Sequence, residues 1–229
     1  MYARFTRLDT LRGLAVGLMV IHHFLYDLVW LYDAPVWLFR NPLFTLLHYI
    51  FVGVFIGLSG ICCRFSRSNG RRGVRLLCCA MAVTGVTMLS GQPILFGILH
   101  LLAFCMLTYA LIGRWTDRIP LSVYCVMFLL SQLWVRHTAL RSPLLWFFGV
   151  PWLGLFSADY FPIFPWIFFF LAGARVGGRL RNWQFVPRKP GKLAWLGQRS
   201  LSVYLLHQPA LLAVLLPLQQ LMQAAELQM

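Results

Sequence analysis

Long apolar runs alternate along the chain with short breaks rich in arginine, proline and glycine. The runs fall at residues 11–32, 42–63, 74–90, 94–113, 120–135, 161–178 and 195–217. Most approach the roughly 20 apolar residues that carry an α-helix across hydrocarbon. None has the two-residue alternation of a membrane β-strand. The pattern predicts an all-α polytopic transmembrane helical bundle of about seven spans. Residues 136–160 are aromatic and interrupted by Pro143, Gly149, Pro151 and Gly154, which assigns them to the membrane interface. Counted as a crossing, the 143–157 stretch would raise the number to eight. Pro162 and Pro165 should start or kink the sixth run. The spans show no internal repeat, and the short loops leave no room for a soluble domain, so residues 1–229 read as a single integral membrane domain.

Composition agrees with the pattern. Of 229 residues, 60% are hydrophobic and only 11% are charged, against about 25% charged in soluble domains. The first run contains Asp9 near its start, is too long for a signal-peptide core and is followed by no small-residue cleavage site, so it should stay as a span. The net charge of +14 does not point to nucleic acid, because the cations cluster in alternate loops. Residues 1–7, 64–75, 114–118 and 175–192 hold most of the arginine and lysine. That alternation puts the N-terminus in the cytoplasm and the C-terminus outside. The six cysteines, including the adjacent pairs Cys62-Cys63 and Cys78-Cys79, lack zinc-site spacing and read as small packing residues. No metal is expected.

Against this apolar background the ionisable residues stand out. Each costs about 2.5–3.5 kcal/mol at the bilayer centre on insertion scales, so a helix that merely spans would omit them. In the first run Arg12 and His23 are eleven residues apart. They therefore share a helix face, roughly 16 Å apart along the axis. Asp27 lies one turn beyond His23, where side chains meet. Imidazole beside carboxylate is a general-base arrangement, the carboxylate fixing the tautomer. His22 points about 100° away and reads as a packing residue. His48, His100 and His207 place further imidazoles in the middle or outer half of their own runs. Any one of them is readily explained as an interhelical hydrogen bond, but the set at similar depth is harder to explain that way. The basic loop Arg64, Arg67, Arg71, Arg72 and Arg75 opens the third run, where free backbone N–H groups and guanidinium groups suit phosphates, although a positive-inside loop would look the same. Asp159, before the sixth run, would cap that helix or hold an acceptor hydroxyl or amine.

The opening LDTLRGLAVGLMVIHHFLYDL resembles the first span of the heparan-α-glucosaminide N-acetyltransferase-like membrane proteins. FGILHLL around His100, DYFPIFPWIFFFLAG around Asp159 and LGQRSLSVYLLHQP around His207 resemble the same family in the same order. The spacing of Arg12, Gly13 and His23 is also similar to membrane O-acyltransferases of bacterial envelopes. The resemblance implies transfer of an acetyl group from cytoplasmic acetyl-CoA to a hydroxyl or amine, plausibly of an envelope carbohydrate. In the lysosomal relative the active histidine follows the first span; Asp33–Asn41 contains none here, which leaves His23. Under that reading His23 and Asp27 are the base and its partner, and His100 or His207 donates to the oxyanion. Arg12, Arg64, Arg67, Arg71, Arg72, Arg75 and Arg175 hold the donor's phosphates, and His48 and Asp159 meet the acceptor. A variant has a histidine carry the acyl group covalently. The partners expected are the lipid bilayer, acyl-CoA and an envelope carbohydrate acceptor, with a homodimer as an open alternative to a monomer.

Two other classes fit the residues. Facing histidines in a bundle suit bis-imidazole haem ligation, pairing His23 with His100 or His48 with His207, in an electron carrier. Intramembrane His and Asp also mark transporters and proton pathways, against which the missing repeat counts.

Overall fold

The computed structural model describes residues 6–138, 142–152, 154–180, 189 and 191–226. Among these the fold is all-α: α1 (Thr6–Leu31), a 3-10 turn η1 (Val36–Leu38), α2 (Pro42–Cys63), α3 (Asn69–Leu89), α4 (Ile98–Thr116), α5 (Leu121–His137), α6 (Pro143–Trp146), α7 (Ile163–Leu180), α8 (Lys192–Gln198) and α9 (Ser200–Glu226). Among the described residues, five segments are long and apolar enough to cross a membrane: Thr6–Leu31, Val36–Cys63, Asn69–Leu89, Ile163–Leu180 and Ser200–Ala225. The fourth and fifth expected spans form helices, α4 and α5, whose apolar lengths fall short of that measure. The eighth crossing left open at 143–157 is not a span: among the described residues of that stretch the helix is α6, four residues long, which rises about 6 Å against a core of roughly 30 Å.

Several boundaries moved for identifiable reasons. α3 begins at Asn69, earlier than the expected 74, and Arg72 N–H already bonds the Ser68 carbonyl. Its free amides are therefore those of the first residues after Ser68, not of Arg71–Arg75 as a block. Residues 94–97 are not helical; Phe96 instead pairs with Tyr160 in a short parallel bridge. In α7, Phe164 has extended backbone angles, so the regular helix starts at Pro165, a first-turn proline as the sequence suggested. The expected span 195–217 is divided at Arg199 into α8 and α9, and α9 continues to Glu226.

The chain falls into two compact units, one within Met1–Phe55 and Phe185–Met229, the other within Ile56–Gln184. In the first, α1 packs most extensively on α8 and then on α9. Gly13 and Gly197 make the α1–α8 contact possible: a Cβ on Gly13 would collide with the Leu193 carbonyl, and one on Gly197 with the Asp9 carbonyl. α1 and α9 lie side by side in parallel. Asp27 pairs with Gln208, Tyr32 with the Leu215 carbonyl at 2.6 Å, and Gln219 with the Leu31 carbonyl. In the second unit α3 packs on α4, and α7 on α5 and α4. There the C-terminal part of α2 meets α7 across Gly60 and Gly173, where backbones touch. Its buried centre includes Ile56, Leu101, Cys105 and Phe170.

Candidate active site

The first unit gathers four imidazoles. His48 and His22 have ring centroids 4.4 Å apart, His22 and His23 5.8 Å, and His23 and His207 4.7 Å. α1 supplies the middle two, α2 the first and α9 the last. His22 is thus a bridging ring and not a bystander. An imidazole is wide enough that neighbours 100° apart on a helix still touch, which periodicity alone did not convey.

The hydrogen bonds fix the tautomers. His23 Nδ1 lies 2.9 Å from the Met19 carbonyl, and His207 Nδ1 lies 2.6 Å from the Tyr204 carbonyl. A carbonyl only accepts, so each Nδ1 carries the proton and each neutral ring keeps a lone pair on Nε2. His23 is therefore set up as a base at Nε2, but a backbone carbonyl orients it, and the expected Asp27 contact does not. Asp27, 4% exposed, accepts instead from Gln208 Nε2 at 2.9 and 3.0 Å. Gln208 carried no sequence signal beyond being a polar residue inside an apolar run. Nearer the start of α1, Arg12 lies 3.8 Å from Asp9, and Asp9 also accepts from Gln198 Nε2 at 3.2 Å.

In the second unit the remaining expected site residues are engaged structurally. His100 Nδ1 accepts from Gly97 N–H at 3.2 Å, so Nε2–H faces the Thr84 hydroxyl, also at 3.2 Å. Thr84 in turn donates to the Ile94 carbonyl. Both expected oxyanion donors are thus otherwise arranged: His100 spends its N–H on Thr84, and neutral His207 offers a lone pair. Asp159 caps a helix, but the helix is α4: its Oδ2 accepts from Ile98 N–H at 3.2 Å. Beside it Tyr160 donates to the Trp146 carbonyl, and burial pushes its phenol up to about 12.

Of the basic set, Arg64 is bound to Asp117 and to the Tyr109 hydroxyl. Burial works against its charge, yet Tyr109 and Asp117 hold its pKa above the ordinary arginine value. Arg67, Arg71 and Arg75 are exposed and Arg72 is half-buried, around the first turns of α3. Arg175 is half-buried on α7, its Nε buried and without a hydrogen-bond partner among the described residues.

A family model settles the class: the heparan-α-glucosaminide N-acetyltransferase catalytic domain matches residues 4–209. The chain belongs to this family. It is therefore a membrane acetyltransferase by family, with acetyl-CoA as the family's acetyl donor. Comparison with curated proteins and with solved structures finds no significant match. The matched residues include every expected site residue and run through both compact units. Among the described residues no group of histidines, cysteines or carboxylates is arranged to hold a metal ion.

Proposed function

We propose that the chain transfers acetyl from cytoplasmic acetyl-CoA to an amine or hydroxyl, of an envelope sugar or glycan, with His23 as general base. The observation that carries this reading is the His23 ring, whose Nδ1 is tied to the Met19 carbonyl so that Nε2 holds a lone pair among three other imidazoles. Acetyl-CoA supplies the activated thioester. As the acceptor's nitrogen or oxygen bonds to the acetyl carbon, His23 Nε2 takes its proton. The imidazolium returns a proton to the departing thiolate when the C–S bond breaks. Asp27, held by Gln208, lies one turn along α1 and supports the transient positive charge through space. His207 and His48 line the same cluster. Arg67, Arg71, Arg72, Arg75 and Arg175 attract the donor's phosphates, where the open first turn of α3 adds backbone N–H groups. Arg12, partnered with Asp9, marks the cytoplasmic end of α1.

The topology of the proposal is seven crossings, with the N-terminus cytoplasmic and the C-terminus outside, in a bacterial inner membrane. The parallel run of α1 and α9 supports it. Parallel α1 and α9 require an odd total of crossings from one to the other, which excludes eight and is met by seven as by five. Residues 1–229 then act as one acyltransferase-like domain.

The donor half of the reading is tested by calorimetry of acetyl-CoA with detergent-purified protein. Wild type should bind, and the double variant Arg71→Ala/Arg72→Ala should lose about tenfold or more, since each charge-assisted hydrogen bond contributes roughly 1.5–3 kcal/mol. Equal binding by folded variant and wild type would remove this arginine pair from the donor site.

A haem reading finds less support. Of the pairs it needs, His23 with His100 is spoken against by His100, whose two ring nitrogens are both engaged.

A further inference from the structure

The short helix α8 has two different sides. Ala194 and Gly197 are buried on α1, where Gly13 and Gly197 bring the two backbones together. At about 100° per residue the opposite side carries Lys192, Trp195 and Arg199, spaced i, i+3 and i+7, and all three are exposed. The Arg199 guanidinium lies 4.3 Å from the centre of the Trp195 ring, a cation–π contact that sets charge and indole side by side. Neither Lys192 nor Arg199 forms an ion pair among the described residues. Asp9, the carboxylate of the α1–α8 contact, is buried and accepts from Gln198. The sequence has no acidic residue between Asp159 and Glu226. An open groove of about 580 Å³ lies along α8, lined by Gly191, Lys192, Leu193, Trp195 and Leu196. Unmatched cations and apolar walls therefore meet on one surface.

We infer that the outer side of α8 binds an anionic phospholipid of the bilayer, its headgroup phosphate at Lys192 and Arg199 and an acyl chain along Leu193, Trp195 and Leu196. α8 sits beside Asp9 and Gly13 in the first turns of α1, at one end of that span, where headgroups lie. Tryptophan flanked by lysine and arginine suits that depth: the indole and the long stems rest on hydrocarbon while the charges stay at the phosphates. A soluble phosphate would engage the cations and leave the apolar walls unmet, whereas a phospholipid meets both. A zwitterionic headgroup brings its own cation against Lys192 and Arg199, so the pair selects a lipid with net negative charge.

The test reconstitutes the purified protein in phosphatidylcholine vesicles that hold a minor share of brominated phosphatidylglycerol or, in parallel, the same share of brominated phosphatidylcholine. Bromine quenches tryptophan fluorescence on contact, and the difference between each protein and its own Trp195→Phe version reports Trp195 alone. Wild type should favour phosphatidylglycerol at Trp195 about tenfold or more, since each basic residue near the membrane surface contributes about fivefold. Lys192→Gln/Arg199→Gln should respond to the two lipids alike. Arg71→Gln/Arg75→Gln, which removes the same charge from exposed residues of α3, should keep the wild-type preference. Lys192→Gln alone, expected to lose about fivefold, replaces the double variant if that does not fold. Equal quenching by both lipids in wild type, or a preference kept without Lys192 and Arg199, overturns the inference. A preference lost equally in the α3 variant would assign it to total charge and also overturn it. So would a wild-type Trp195 that neither lipid quenches, the result expected if a second copy of the chain covers this face. Displacement of phosphatidylglycerol by soluble coenzyme A would make the cations a site for a free nucleotide, and would equally refute a lipid site.

Discussion

At the scale of single residues, partners decide what each polar side chain can do. Asp159 was open between holding an acceptor and capping a helix, and its carboxylate accepts from Ile98 N–H at the start of α4. Asp159→Ala should therefore lower the stability of the purified protein by about 1 kcal/mol, as loss of an N-terminal cap does. It should leave the Michaelis constant for the acceptor unchanged. A thermal midpoint equal to wild type, with a raised Michaelis constant, would restore the acceptor role. The sequence made His23, Asp27, His48 and His207 legible because ionisable residues inside apolar runs are conspicuous. It could not show that Met19 and Tyr204 carbonyls fix the imidazole tautomers, since every residue has a carbonyl and only coordinates show which one is near. Gln208 was hidden for the same reason: an uncharged amide gives no hint that it faces Asp27.

At the scale of elements, apolar runs gave the helices and said little about how they end. α2 lies at the residues expected of it, because Pro42 and the arginine after Cys63 bound the run on both sides. The division between α8 and α9 had no such signal; Arg199 has no proline or glycine beside it. Tertiary contact explains the split: α8 is held on α1 by Gly13 and Gly197, while α9 extends through polar Gln219 to reach the Leu31 carbonyl. The expectation is that Gly13→Leu separates α1 from α8, since even its Cβ meets the Leu193 carbonyl. Overpacking of this kind costs about 1–3 kcal/mol or more. Thermal unfolding in detergent should show a clear drop in midpoint, whereas Gly85→Ala, whose Cβ meets nothing within 4 Å, should unfold with wild type. Equal midpoints for Gly13→Leu and wild type would mean that the close crossing contributes nothing.

At the scale of the whole molecule, class and family were readable from hydropathy and from motifs in order, and the family match over residues 4–209 bears that out. The number of crossings was less readable. Helix α5, at 17 residues, is at the short end for a span, and the aromatic stretch after it, read as interfacial with an eighth crossing left open, holds the four-residue α6. The central claim is that this chain transfers acetyl through His23. It is tested most directly by reconstituting purified protein in vesicles with labelled acetyl-CoA and an amino-sugar acceptor, and following label into the acceptor. The account predicts transfer by wild type and a loss of at least about a hundredfold in folded His23→Ala, the low end of general-base contributions. Full transfer by His23→Ala, in protein that retains its helix content, would contradict it.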